Sequence, residues 1–278
     1  MKTLTKTMIA CAMAIAMTVN AQTSQETDFP PTEEMNIADS ILLEVTYDVT
    51  VKYGKPKEAT RNDVMTLEIG NNVWHSWLKG ERKADYARMK SLYTSGRRGL
   101  GFFTFPYTYI GEVFGNFPQG QATVIKNLDA AGVYQYREDL VQMDWNISSE
   151  TKKVLEYECS KATCQFRGRN YTAWFTPEIP LKVGPYKFTG LPGLILEISS
   201  EDGEYKFTAT GLEKPHNHKD ILYWKREYVN MERNKVEQRE AMLVKDPFSF
   251  LADYGFKMRF ADGGGVGKWS GCFNPIEK

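Results

Sequence analysis

Strict alternation of apolar and polar side chains over residues 41–53 constrains the fold more than any other feature of the chain. A period of two residues places the apolar side chains on one face of a β-strand and the polar ones on the other. The apolar positions are Ile41, Leu43, Val45, Tyr47, Val49, Val51 and Tyr53. The run predicts a long strand with one dry face and one wet face, as in an antiparallel sheet that packs on a core.

Segments with strand character recur along the chain and are separated by turn residues rather than by crossover helices. They cover residues 65–69, 73–77, 102–114, 121–128, 132–137, 141–147, 154–166 and a hairpin over 194–209. Helical spacing or composition is found at 81–93, 227–243 and 247–254. The pattern predicts an α+β fold that is mainly antiparallel β. We expect one large bent sheet of roughly nine to eleven strands, which could form a half-barrel, with one or two short helices.

The beginning of the chain has the pattern of a secretory signal peptide over residues 1–21. Two lysines precede the apolar run Met8–Val19, and cleavage is expected near Ala21. About 12 apolar residues are too few to cross a bilayer. Residues 22–39 are expected to form a flexible leader and residues 40–278 a single β-rich domain. We therefore expect a periplasmic, outer-membrane-associated or secreted protein that does not span the membrane.

The charge balance argues against binding to nucleic acid. The chain has 35 basic and 35 acidic residues, and removal of residues 1–21 takes away two lysines and no acidic residue, which leaves a net charge of −2. A nucleic-acid-binding domain needs a basic surface to neutralise phosphates. We therefore expect no nucleic-acid partner.

Three neighbouring motifs in the chain resemble a known family. They are Cys159-Ser160-Lys161-Ala162, the segment from Gly168 to Pro177, and the hexapeptide Gly190-Leu191-Pro192-Gly193-Leu194-Ile195. In these motifs the chain resembles the GLPGLI family of secreted bacterial proteins. The resemblance is dense over residues 156–211 and compatible in layout from residue 41 onward. It implies an exported bacterial protein, and it implies neither an activity nor catalytic residues.

The hexapeptide also has a direct physical interpretation. Pro192 fixes φ at the second position of a turn, and Gly193 can adopt positive φ at the third, so a type II turn is expected before the strand at Leu194. Two aromatic residues precede this turn, Tyr186 and Phe188. They are interpreted either as a plug over one end of the sheet or as part of a loop that contacts a ligand.

A run of aromatic residues lies upstream in a predicted strand. Alternation places Phe103, Phe105, Tyr107 and Tyr109 on one face of that strand. Such a face either fills the core of a wide sheet or lines an apolar ligand groove.

Cysteine spacing allows one disulfide bond. Cys159 and Cys164 would lie ~17 Å apart on one extended strand, too far to bond to each other. Cys272 follows a glycine-rich segment, and export permits oxidation. We expect a disulfide between Cys272 and either Cys159 or Cys164, with one thiol left free.

The pair His216 and His218 is a weak candidate for a metal site. On an extended segment both imidazoles would lie on one face, and zinc or copper would suit them. The sequence fixes no third ligand, and a solvated loop is the alternative. No cofactor is expected.

The sequence contains neither the G-x-S-x-G nor the H-E-x-x-H motif of common hydrolases. We therefore expect a non-enzymatic envelope protein that binds an apolar ligand or an outer-membrane partner. Two alternatives stay open. One is a structural or assembly protein that uses exposed strand edges, and the other is a metal-binding protein that uses His216 and His218.

Overall fold

The structure is a computed structural model, and it describes residues 34–53, 59–95, 110–128, 131–253 and 273–278. Fourteen strands and three helices lie in these ranges. The strands are β1 (Met35–Ser40), β2 (Leu43–Tyr53), β3 (Ala59–Ile69), β4 (Trp74–Leu78), β5 (Glu112–Gly115), β6 (Gln121–Asn127), β7 (Val133–Asp139), β8 (Asn146–Val154), β9 (Tyr157–Phe166), β10 (Arg169–Thr176), β11 (Leu194–Ser200), β12 (Tyr205–Glu213), β13 (Asp220–Trp224) and β14 (Val229–Asn230). The helices are α1 (Lys79–Ser95), α2 (Arg233–Lys245) and α3 (Pro247–Asp253).

Twelve of the strands form one open sheet. Their order is β14-β7-β6-β5-β4-β3-β2-β12-β11-β10-β9-β8, and every neighbouring pair is antiparallel except β14 with β7. The outermost strands β14 and β8 are not paired with each other, so the sheet does not close into a barrel. Strands β1 and β13 form a separate two-stranded ribbon. The predicted α+β fold with a large antiparallel sheet is confirmed, with more strands in the sheet than we expected.

The alternating strand β2 lies in the middle of this sheet. It pairs with β3 without a register shift from Leu43↔Ile69 to Tyr53↔Ala59, and with β12 on its other side. Its apolar side chains are buried, with Val45 and Tyr47 fully inaccessible. Alternation in the sequence therefore separates two faces of the sheet, as predicted.

The face that carries Val45 and Tyr47 is called the inner face. It holds the main apolar cluster, to which α2 contributes Val236 and Leu243. A buried ion pair joins the helix to the sheet, since Lys126 Nζ lies 2.6 Å from Glu240 Oε2. The inner face is therefore the core of the domain.

The opposite face, which carries Thr46 and Thr66, is called the outer face. At the β4 to β7 end of the sheet, the β1–β13 ribbon covers it through a second apolar cluster. This cluster consists of Ile41, Val73, Phe114, Ile125 and Ile221. Over β2 and β12 the outer face keeps partly exposed or exposed polar side chains. The outer face is thus divided into a covered half and a half that retains the predicted wet character.

One predicted strand was wrong. Residues 140–145 lie outside the strands, and β8 starts only at Asn146. The chain turns at Leu155, which adopts φ +54°, and Ser148 and Ser149 lie within β8 at an irregularity of its pairing. Glycine and serine signals locate turns only on average, and here a leucine takes the left-handed conformation.

The conformation predicted for Gly193 was also wrong. In this hexapeptide the residue with positive φ is Gly190, at +98°, and not Gly193. Gly193 is needed for another reason, because a Cβ atom there would lie 2.1 Å from the carbonyl oxygen of Thr176. The motif thus allows the backbone that enters β11 to approach the backbone that leaves β10.

We predict that Gly193→Ala destabilises the protein by about 2–4 kcal/mol, because the methyl group must displace backbone rather than a flexible side chain. Gly211→Ala is the matched control, since a Cβ at Gly211 meets nothing within 4 Å. Urea unfolding of both variants measures the difference. Equal stability of the two variants would contradict this role for Gly193.

Candidate functional site

An open groove of about 350 Å³ lies on the outer face, where β4, β3, β2 and β12 are neighbours. We call it the outer groove. Its lining residues are Glu44, Thr46, Thr66, Glu68, Trp77, Gly211, Leu212 and Glu213. All of them come from the wet positions of the strands or from the end of β12, so the groove is open to a ligand.

Local sequence explains why the groove exists. Glu44 pairs with Glu68 and Thr46 pairs with Thr66 across β2 and β3, so these four side chains stand on one face. In β12 the pairing shifts between Ala209 and Gly211. The bulge and the missing side chain at Gly211 leave open space above the strands.

Behind the groove lies a chain of buried ionic contacts. His75 Nδ1 lies 2.7 Å from Glu68 Oε2, and His75 Nε2 lies 2.7 Å from Glu112 Oε1. Glu112 Oε1 in turn lies 3.4 Å from Arg82 Nη2. The imidazole is fully inaccessible and stacks on Phe114 with 4.0 Å between the ring centroids. We call these four charged residues the ion chain, which runs from the groove to helix α1.

The contacts decide the protonation of the ion chain. Burial alone would lower the pKa of His75, but the charge of Glu68 and hydrogen bonds to both carboxylates outweigh it, and the pKa is raised. Burial alone would raise the pKa of Glu112, but Arg82 and His75 lower it to about 2. The pKa of Glu68 is lowered as well, where burial is outweighed chiefly by His75. The contacts therefore favour an imidazolium between two carboxylates.

Trp77 forms a fixed wall of the groove. The guanidinium carbon of Arg82 lies 4.2 Å from the centroid of its ring, and its indole Nε1 lies 3.4 Å from Glu68 Oε1. Arg82 and Glu68 are both members of the ion chain. The ion chain therefore fixes both an aromatic and an acidic part of the groove lining.

Sequence reasoning missed this arrangement. His75 is buried in β4, between β3 and β5. Its partners Glu68 and Glu112 are 7 and 37 residues away in the chain. The one available signal was that all three residues occupy polar positions of neighbouring strands, and that signal identifies them only once the strand order is known.

The structure places Tyr186 and Phe188 in the core and not at a ligand surface. Their exposures are 1% and 0%. Tyr186 OH donates a hydrogen bond to Glu277 Oε1 at 2.6 Å, and Phe188 packs edge-on against Tyr171 with 4.7 Å between the ring centroids. Of the two interpretations, the structure favours the aromatic plug. The other ligand candidates, Phe103, Phe105, Tyr107 and Tyr109, lie outside the described residues.

The cysteines of β9 do not form the expected disulfide. Cys159 and Cys164 are free and buried. Their thiols lie in the apolar cluster of the inner face, where burial raises the pKa of Cys159 to about 11 and that of Cys164 to about 12. Both are therefore poor nucleophiles. Cys272 lies outside the described residues.

His216 and His218 lie in the exposed loop between β12 and β13. His218 Nε2 lies 2.8 Å from Asp220 Oδ1. In the part of the chain that the structure describes, no three histidine, cysteine or acidic side chains are grouped so that they could hold a metal ion. Metal binding by this pair thus stays a prediction.

Comparisons with known proteins give limited similarity. A family model described as the N-glycanase peptide, N-terminal domain matches residues 121–236. This segment begins at β6 and therefore excludes the parts of the groove that come from β2, β3 and β4. A search of curated proteins gives no significant match.

Among solved structures, two crystal forms of PNGF-II are similar to this chain. Their identities are 14% and 15%, their TM-scores 0.48 and 0.46, and each alignment covers 72% of this chain. The chain spans 32% and 33% of the length of the two PNGF-II chains. A LolA superfamily protein from Nitrosomonas europaea aligns at 10% identity and a TM-score of 0.26, covering 64% of this chain and 87% of its own.

Among the helices that the structure describes, none has the length and apolar character needed to cross a membrane.

The ion chain predicts a specific dependence of stability on pH. The folded-state pKa of His75 is raised above 6.5. Its contribution to the free energy of unfolding is therefore complete below pH 6.5 and is lost as pH rises through the folded-state pKa. His75→Gln should reduce the decrease of the free energy of unfolding with rising pH. For one proton this decrease is at most about 1.4 kcal/mol per pH unit. Urea unfolding at pH 6 to 9 measures it.

His216→Gln is the matched control for this measurement, because His216 is exposed. It should keep the pH profile of the unmodified protein. A His75→Gln profile that is parallel to that of the unmodified protein over this range would show that His75 is not held as an imidazolium.

Proposed function

We propose that this chain is an exported, non-enzymatic binding protein of the bacterial envelope, of the GLPGLI type, which holds a basic segment of a partner protein in the outer groove. The observation that carries the proposal is the groove itself. It is a concave polar surface with a tryptophan wall, and side chains behind that wall fix it in place. Preorganised surfaces of this kind lose little conformational entropy on binding.

Charge complementarity supports a basic partner. Three of the eight lining residues are glutamates, and none is a lysine or arginine. Glu68 is balanced by His75, but Glu44 is paired only with the exposed Lys219 at 3.2 Å, a solvent-screened contact that a cation of a partner can replace. A lysine or arginine of a partner would find carboxylates beside the indole of Trp77.

The ion chain supports a binding role rather than catalysis. Both ring nitrogens of His75 are engaged by carboxylates at 2.7 Å, so neither is available to a substrate. With the pKa values of Glu68 and Glu112 lowered, neither carboxyl is a proton donor near neutral pH. His75, Glu68 and Glu112 therefore support the groove.

Export and family membership enter this proposal from the sequence. The pattern over residues 1–21 supports secretion, and the hexapeptide 190–195 with its two upstream motifs supports the GLPGLI type. The close approach at Gly193 gives the hexapeptide a structural role in the sheet. Nothing in that role requires the motif to touch a ligand.

A partner that binds an edge strand is the rival. Strand β8 forms one edge of the sheet and is nine residues long. Its pairing with β9 shifts between Ile147 and Thr151, and Lys153 is exposed on it. Bulges and lysines are features that prevent strand addition, so the groove is favoured over this edge.

We predict that a dye-labelled tetralysine peptide binds saturably, as measured by fluorescence anisotropy at low salt. Glu44→Gln with Glu213→Gln should weaken this binding about tenfold, since two carboxylates of the lining are lost. The matched control is Glu156→Gln with Glu201→Gln, which removes two exposed charges elsewhere. No saturable binding, or equal weakening by both double variants, would contradict the proposal.

An apolar ligand is the second candidate, and it depends on the aromatic residues 103–109. Native mass spectrometry of the mature protein, purified from its own envelope, tests it. For a protein that works through the groove we expect the bare mature mass. An added mass that organic extraction removes would instead favour the apolar ligand.

A further inference from the structure

Three glutamates stand side by side across three neighbouring strands of the outer groove. Glu44 in β2 is the register partner of Glu68 in β3 on one side and of Glu213 in β12 on the other. We call these three residues the glutamate row. Cross-strand partners have Cβ atoms about 4.5–5.5 Å apart, so like charges at such positions repel each other. The row therefore needs cations close to it.

The members of the glutamate row differ in how far they are already neutralised. Glu68 is balanced by His75, whose Nδ1 lies 2.7 Å from Glu68 Oε2. Glu44 is balanced by Lys219, whose Nζ lies 3.2 Å from Oε2 and 3.5 Å from Oε1. Glu213 is exposed, and no basic side chain of the described residues forms an ion pair with it. Glu44 and Glu213 are thus the half of the row that is open to a partner.

The two cations beside the row are held in different ways. His75 is fully inaccessible and has a carboxylate at each ring nitrogen, so it is a fixed part of the fold. The side chain of Lys219 is 51% exposed. The backbone of Lys219 is anchored, since its carbonyl accepts a hydrogen bond from Ile41 N at 2.9 Å. The Lys219 ammonium can therefore leave Glu44 while the backbone stays in place.

The groove also suits the stem of a long cationic side chain. Trp77 and Leu212 line it together with the glutamate row. Lysine and arginine bury their methylene stems along apolar surface and keep the charged group in a polar environment. The ammonium of Lys219 at Glu44 shows that a cation of this type reaches the row. Both observations favour a cationic side chain over an inorganic ion as the ligand.

We propose that Lys219 takes the place of the partner's cation in the free protein, and that a lysine or arginine of the partner displaces it and binds between Glu44 and Glu213. The inference rests on the basic partner proposed above, and it adds which carboxylates receive the charge and how access to them is regulated. Displacement costs one solvent-screened ion pair, whereas the incoming cation gains two carboxylates. Lys219 therefore relieves the repulsion within the row when no partner is bound, and it lowers the affinity for a basic partner.

The test is an anisotropy titration of the full mature protein with dye-labelled tetralysine at about 0.1 M salt. We expect Lys219→Gln to bind the peptide about two- to fivefold more tightly than the unmodified protein, because a competitor equivalent to one exposed ion pair is removed. The side chain of Lys219 is exposed, so the variant should fold.

Lys153→Gln is the matched control, since it changes the net charge by the same amount. Lys153 is exposed on β8, which lies five places from β2 in the sheet. At about 0.1 M salt the screening length is about 10 Å, so this variant should bind tetralysine like the unmodified protein.

A second background isolates the contact between Lys219 and Glu44. In Glu44→Gln protein the lysine has no carboxylate to hold, so the added Lys219→Gln should lose most of its gain in affinity. The proposal is overturned if Lys219→Gln binds no more tightly than Lys153→Gln, or if the full gain persists in the Glu44→Gln background. Absence of saturable binding to every variant would instead contradict the basic partner itself, and the role of Lys219 would fall with it.

Discussion

The pairing of β2 with β3 and β12 is the constraint on which the rest of the structure depends. Its alternating side chains divide the sheet into an inner face that carries the core and an outer face that carries polar groups. Burial of Val45 and Tyr47 on one face fixes the register, because a slip of one residue would exchange the two faces. The groove residues of β2, β3 and β12 lie at positions set by this register.

The outer groove lies where the outer face changes from covered to uncovered. On the covered half, α1 and the β1–β13 ribbon bury polar residues that the sequence placed on the wet face. Buried charges must be paired, and His75 between Glu68 and Glu112 achieves this. On the uncovered half the same rows of side chains stay open to a partner. The ion chain is therefore a consequence of partial coverage, and it gives the groove a fixed wall at Trp77.

On the inner face, too, buried charges are paired, but there the paired groups are covered and leave no open surface. Residues 273–278 pack against it. Glu277 Oε1 accepts hydrogen bonds from Lys187 Nζ and from the Tyr186 hydroxyl, each at 2.6 Å. Tyr186 and Phe188 suggested a ligand surface because aromatic residues next to a glycine-rich turn fit either interpretation. Only the position of the chain terminus shows that these rings are already covered.

The sequence by itself determined the antiparallel sheet, the long alternating strand, the hairpin of β11 and β12, and where the helical segments lie, because periodicity and turn residues are local signals. It predicted one or two helices where the structure has three. It did not determine the turn at Leu155, the conformation of Gly193, or the surroundings of His75. These depend on which strands become neighbours and which half of a face is covered. Residues as far apart as Glu68 and Glu112 reach the same histidine only through strand order, so the groove and the ion chain were decided by the tertiary structure.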